Sequence, residues 1–290
     1  MPKKAAASGK DRFGDLTNDL LRHVLSYLPK DDALQTCVLG ARWRGLWRRA
    51  TGLRFILEER SKFPRCERFE KLVKLVIRLR GDSPLVSCEI SAHPDDETEG
   101  TYTKTMRLIE YALKCQVKDL LVGVVQTEVC PLTFDAPLVS KHLKTIELER
   151  VNLEFAALNF SGCPGQELCE EGRRNMPFLV TAYVHLGKGC FDFTFCNIDM
   201  EGDCDVTCSG CHTYPVDEGV LLNGFTHAVN LELIAEPEKI IYSWDFVRHP
   251  IFGNLKTLLL DEWFTTVDLV CILQHSPVLE MLTLQLGNTE

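Results

Sequence analysis

The stretch that decides the fold runs from Asp11 to Thr51, DRFGDLTNDLLRHVLSYLPKDDALQTCVLGARWRGLWRRAT. Leu16, Leu20, Leu21, Val24, Leu25 and Leu28 recur at helical spacing and make one stripe, which Pro29 ends. Asp31 and Asp32 stand where a second helix needs a cap, ahead of Leu34, Cys37, Val38 and Leu39. Gly40 breaks that helix, and a third, Ala41 to Arg49, carries Trp43, Leu46 and Trp47. Helices this short cannot bury so much apolar surface on themselves, so the segment has to dock on something else.

The order L-x(3)-LL-x(2)-VL-x(2)-LP, then DD-x-L-x(2)-CVL, then W-x(3)-W resembles an F-box. It is most like that of plant F-box and leucine-rich-repeat proteins of the FBD-like subgroup, whose third helix commonly reads RWR-x-LWR. The resemblance implies that residues 11–52 hold a Skp-type adaptor and, through it, a cullin-based ubiquitin ligase. The adaptor-binding residues it implies are Leu16, Leu20, Leu21, Val24, Leu25, Leu28, Pro29, Leu34, Val38, Trp43 and Trp47, with the two tryptophans as energetic anchors. Some of these must instead hold the helices together. Leu16-Thr17 departs from the family's usual Leu-Pro, yet the Thr17 hydroxyl can cap the helix. A small three-helix subdomain packed on its own body is the plain alternative.

The chain has 290 residues, 45% hydrophobic and 25% charged, the balance of a soluble globular protein. No run of eighteen apolar residues is present, and MPKKAAASGK lacks the apolar core of a secretory signal, so residues 1–10 read as a disordered leader. Without an export signal, the thirteen cysteines are expected to be reduced thiols in the cytoplasm or nucleus. Cys37, Cys88, Cys115 and Cys271 read as small core residues. Residues 1–54 hold eleven Lys and Arg against five Asp, a balance of +6 that leaves −15 for the rest of a chain of net charge −9. A small basic head on an acidic body argues against a nucleic-acid partner and suits docking on an acidic adaptor, with Arg42, Arg44, Arg48 and Arg49 steering.

Beyond Leu53 the pattern changes to short apolar pairs: Leu120/Val122, Ile146/Leu148, Ala182/Val184, Leu231/Leu233, Leu258/Leu260 and Leu282/Leu284. Three sit in an L-x-x-[LI]-x-L frame, HLKTIEL, NLKTLLL and VLEMLTL. Successive pairs are 26, 36, 49, 27 and 24 residues apart, against about 20–29 for leucine-rich repeats. Phe69, Leu72, Val73, Val76 and Leu79 predict a helix, Leu85 to Ile90 a strand, and Met106, Ile109 and Leu113 another helix. The expected fold class is α/β: a three-helix F-box, a helix-rich connector with first repeats over 53–116, and a degenerate leucine-rich-repeat solenoid over 117–290. Compared with the family, FSGCPGQELCEEGRRNMP (160–177) looks shortened by a unit. The last repeat lacks its covering helix and should fray or expose apolar surface.

No catalytic motif is present: no GxSxG elbow, no phosphate-cradling loop, no HExxH. The expectation is a non-catalytic receptor without a cofactor. Asp95-Asp96-Glu97 and Glu170-Glu171 read as solvated loops. Cys204-x(3)-Cys208-x(2)-Cys211-His212, with Cys190 and Cys196 upstream in a Cys-rich loop near 190–212, could instead centre a zinc module. The half-site spacing is wrong, however, and adjacent Cys211 and His212 seldom share one ion. A further alternative is an F-box protein without ligase activity. Strand alternation puts Asp119, Glu147, Glu149, Tyr183, Glu232 and Asp261 on the face away from the core, a mostly acidic set expected to meet a basic segment of a protein target.

Overall fold

A computed structural model describes residues 13, 15–56, 65–92, 99–124, 133–134, 140–153, 176–186, 222–235, 250–261 and 263–285. Residues 1–10, read as a leader, the acidic clusters at 95–97 and 170–171, the stretch 160–175 read as shortened, and the Cys204–His212 constellation lie outside these residues.

The head begins with helix α1 (Asn18–Ser26), capped as its sequence suggests: the Thr17 hydroxyl accepts the Leu20 N–H at 3.3 Å. The helix stops at Ser26, short of Pro29. Helix α2 (Lys30–Gln35) has Pro29 at its N-cap position and no side-chain cap, so the capping role expected of Asp31 and Asp32 is not realised. Both aspartates fall in its first turn, where they still oppose the helix dipole. The chain then tightens into a 3₁₀ turn, Thr36–Leu39. The third helix expected over 41–49 is instead two 3₁₀ turns, Trp43–Gly45 and Trp47–Arg49. Here each hydrogen bond spans three residues, as in Leu46 N–H to Trp43 O and Ala50 N–H to Trp47 O. Gly45 weakens an α-helix at that point.

Strand β1 (Gly52–Ile56) follows directly. Next come α3 (Arg65–Arg80), β2 (Ser87–Ala92), α4 (Glu99–Lys114), β3 (Asp119–Val124), β4 (Thr133–Phe134), β5 (Thr145–Leu153) and β6 (Thr181–Leu186). β7 (Asn230–Ile234), β8 (Thr257–Leu260), α5 (Thr266–Gln274) and β9 (Met281–Leu284) complete the described elements. All the strand pairs are parallel, in the order β1-β2-β3-β5-β6-β7-β8-β9, with β4 on the far end of β5. Spatial order follows chain order and never reverses. Among the described strands the sheet therefore grows by adding units at one edge, as in a leucine-rich-repeat-like solenoid.

Every anticipated strand pair lies in a strand, and a fuller frame emerges from the register. Each strand is preceded by one more inward residue, giving Leu143-x-x-Ile146-x-Leu148, Leu179-x-x-Ala182-x-Val184, Ala228-x-x-Leu231-x-Leu233 and Leu255-x-x-Leu258-x-Leu260, all buried. The same frame runs through Val117-x-x-Leu120-x-Val122, Leu85-x-x-Cys88-x-Ile90 and Ala50-x-x-Leu53-x-Phe55. The first unit thus opens at Ala50, inside the segment read as head. At the other edge Leu279 and Leu282 are only partly buried, while Met281 and Leu284 of β9 and Val267, Val270 and Leu273 of α5 are exposed. Cys88 and Cys115 are buried thiols, whereas Cys37 and Cys271 are half-buried.

The head is packed tightly onto the first repeats. A Cβ placed on Gly52 would come within 2.8 Å of the Ser26 backbone oxygen and of Ser26 Cβ, so only glycine permits this approach. Arg54 of β1 donates to the Tyr27 carbonyl at 2.8 Å and to both oxygens of Glu89 on β2, at 2.5 and 3.0 Å. Arg80, buried at the end of α3, donates to four carbonyls: Arg48 (3.1 Å), Ala50 (2.6 Å), Ser83 (3.2 Å) and Pro84 (3.0 Å). It joins the last turn of the head to the loop that leads into β2.

Candidate interaction surfaces

Burial divides the residues expected at the head's surface into three groups. Leu21, Leu25 and Trp47 are core, which corrects the expectation that they meet an adaptor. Leu21 and Leu25 lie on the side of α1 that faces β1, and Trp47 lies beneath α1 and α3. Leu16, Leu28, Leu34 and Trp43 are half-buried against that core, and Pro29 is half-buried where it bridges Arg54. Leu20 (51% exposed), Val24 and Val38 (86% exposed) face outward.

Three further exposed apolar residues join them: Phe13, Tyr27 and Leu39, the last 63% exposed. Leu20, Val24 and Tyr27 are three and four residues apart and so share one side of α1. Arg42 ties the segment after Val38 and Leu39 to the start of α1. Its Nε donates to Asn18 Oδ1 at 2.8 Å, and its other nitrogens reach the Leu16 and Phe13 carbonyls. Phe13 lies edge-on to Trp43, 5.8 Å between ring centres. His23 is exposed and stands edge-on to Tyr27.

The second surface is the outer face of the sheet. Parallel register sets Arg54, Glu89, Leu121, Glu147, Tyr183, Glu232 and Leu259 side by side on successive strands. Glu149 stands one pleat further along β5, opposite Gly123 and His185. Glu147, Glu149, Tyr183 and Glu232 therefore come together. Partial burial, and then the Glu149, Glu232 and Glu89 carboxylates, hold Glu147 above the ordinary carboxylate range. The Tyr183 phenol is raised by burial and then by the Glu149, Glu232 and Glu147 carboxylates. Asp119 stands at the other end of the pleat, in register with Thr145, and Asp261 lies just past β8. Sequence reasoning missed Arg54 and Glu89, whose pairing neutralises the head-proximal end of the row. The signal was available in the alternation of Leu53-Arg54-Phe55 and Cys88-Glu89-Ile90.

Among the described residues no group of three His, Cys, Asp or Glu could hold a metal ion, and no helix is long and apolar enough to cross a membrane. No family model and no solved structure matches the chain. Curated plant proteins do. A putative FBD-associated F-box protein of Arabidopsis thaliana is 50% identical over 42 residues, covering 14% of this chain and 24% of that protein. An Arabidopsis F-box/LRR-repeat protein is 35% identical over 97 residues, 29% of this chain and 16% of its own length. A putative F-box/FBD/LRR-repeat protein of the same plant is 26% identical over 194 residues, 56% of this chain and 44% of that one. Each alignment spans less than half of the relative's own length. A parallel sheet that grows one unit at a time behind a short helical head, together with these matches, makes the chain a relative of the plant F-box/LRR-repeat proteins.

Proposed function

We propose that this chain is the substrate-recognition subunit of an SCF-type cullin ubiquitin ligase. Its head, read as the F-box, binds a Skp-type adaptor, and the outer sheet face binds a protein target. The chain carries no bond chemistry in this reading. It holds the target near the ubiquitin-charged enzyme and so turns a bimolecular encounter into an oriented one, in the cytoplasm or the nucleus.

The observation that carries the reading is the outward apolar face of the head: Leu20, Val24, Val38 and Leu39 remain exposed although Leu21, Leu25, Ala33, Leu46 and Trp47 already complete its core. Apolar side chains grouped in this way mark an interface, and basic residues around them suit an acidic partner. Co-expression with a Skp-type adaptor and affinity purification tests it. The wild-type chain is expected to give a stoichiometric complex, and a Leu20→Asp, Val38→Asp double variant to lose it with circular dichroism and thermal midpoint unchanged. Equal recovery of adaptor with the variant would refute the assignment.

The carboxylate row supports a target with a basic segment. Glu147→Lys with Glu149→Lys is expected to abolish capture of such a segment while leaving adaptor binding intact. Because the Glu147 carboxyl is held high, it is among the first to be neutralised as the pH falls, so capture should weaken on acidification and with added salt. Unchanged capture by the double lysine variant would move the target elsewhere.

A further inference from the structure

Lys30 opens α2 with its side chain turned inward. It is only 2% exposed, and its Nζ has no hydrogen-bond partner. Its favourable neighbour is the Trp47 ring, whose centre is 4.9 Å from Nζ and which Arg48 also approaches, at 5.8 Å. Among the described residues no neighbour offers a compensating negative charge. From α3 the buried Arg80 adds a like charge, and from β2 the Cys88 thiol is pushed up to about 12 by burial and so stays neutral. Glu89 of β2 is held by Arg54 of β1, and Asp19 of α1 by Arg22. Tyr111 of α4 donates to the Gly81 carbonyl, and the Cys115 thiol is raised by burial. On α2 itself Asp32 is exposed.

We propose that Lys30 is a proton-operated latch between the head and the repeat sheet: neutral, its amine stays buried against Trp47; charged, it must reach water, and the seam opens to let it. An unpaired ammonium buried beside a guanidinium is costly, whereas the neutral amine packs as an apolar chain with one polar end. Burial first, and then Arg80, push this amine down to about 7 from an ordinary 10.5. Between those two values the unfolded chain binds the proton and the folded chain does not. The closed seam therefore gains stability as the pH rises through this window, loses it as the pH falls towards 7, and levels off below. The latch sits under the helices that carry the exposed apolar face, so it couples the proton concentration to how firmly that face is held relative to the sheet.

Hydrogen exchange of the full-length chain, corrected for the intrinsic pH dependence of exchange, tests this. Protection of the amides from Trp47 to Leu53 is expected to rise about tenfold between about pH 7 and pH 8.5. In Lys30→Met it should be higher than wild type at the lower pH and flat across the range. In Lys30→Arg, which stays charged, it should remain low throughout. A rise that persists in Lys30→Met, or a Lys30→Met chain less protected than wild type at the lower pH, would overturn the proposal. Because the methionine variant is expected to be the more stable one, failure to fold cannot disguise either result.

Discussion

Trp47→Ala is expected to lower the unfolding free energy by about 3–5 kcal/mol and to remove the proposed adaptor binding, because Trp47 is buried in the core of the head. The ring is 2% exposed and fills the space where α1, α3 and the last 3₁₀ turn of the head converge, with Lys30 and Arg48 against its faces. Truncation leaves a cavity too enclosed to collapse and takes from Lys30 its favourable neighbour. Since whole domains are stable by only about 5–15 kcal/mol, a loss of this size unfolds the head in a good fraction of molecules. Two measurements separate this from a contact effect. The denaturant midpoint should fall in Trp47→Ala and stay put in the Leu20→Asp, Val38→Asp double variant, while adaptor binding is lost in both. Trp47→Phe, which restores most of the volume, should recover much of the stability and the binding. If Trp47→Ala kept a wild-type midpoint, the ring would not be the core of the head.

The contrast between Trp47 and Val38 marks how far the sequence could be read. Leu and Trp at helical spacing announce a helical head with surplus apolar surface, but Leu20, Leu21, Val24 and Leu25 form one stripe too broad for a single contact. Which pair faces inward depends on where β1 arrives, and nothing local encodes that. The third helix differs for another reason: Trp43, Leu46 and Ala50 are spaced three and four apart as in an α-helix, but Gly45 between them weakens that helix. The strands were easier, because Ile146/Leu148 or Leu258/Leu260 alternate and their alternation can be satisfied only by one buried face. The strand over Leu85 to Ile90 was legible although Cys88 stands in for leucine, whereas β1 was not, because Ala50 opens its unit inside the segment that reads as head. The acidic row was legible as alternation, but its grouping was not, since Glu147, Tyr183 and Glu232 become neighbours only through register across 85 residues of chain.

Arg80 is the clearest case of a role that the sequence hides. At the end of an amphipathic helix, next to Gly81 with its φ of +62°, it reads as a solvated last-turn cation. In the folded chain it is buried and donates to carbonyls of two separate segments, Arg48 and Ala50 on the head and Ser83 and Pro84 before β2. Arg80→Met should cost on the order of 3 kcal/mol or more, because it leaves four inward-facing carbonyls without their donor and each such loss costs about 1–3 kcal/mol, not additively. Arg80→Lys should recover little: one ammonium cannot span two segments that a planar guanidinium bridges with both terminal nitrogens. The same change has a second consequence, opposite in sign to the first. Arg80 helps to depress the Lys30 amine, so in Arg80→Met that amine should titrate at higher pH and the window over which the seam gains stability should narrow. Denaturation midpoints for Arg80→Met across pH 6 to 9, set beside the Arg80→Met, Lys30→Met double variant, decide the matter. A double variant whose destabilisation equals the sum of the single effects would mean that the two residues act independently, and that Arg80 serves only as a tie between carbonyls.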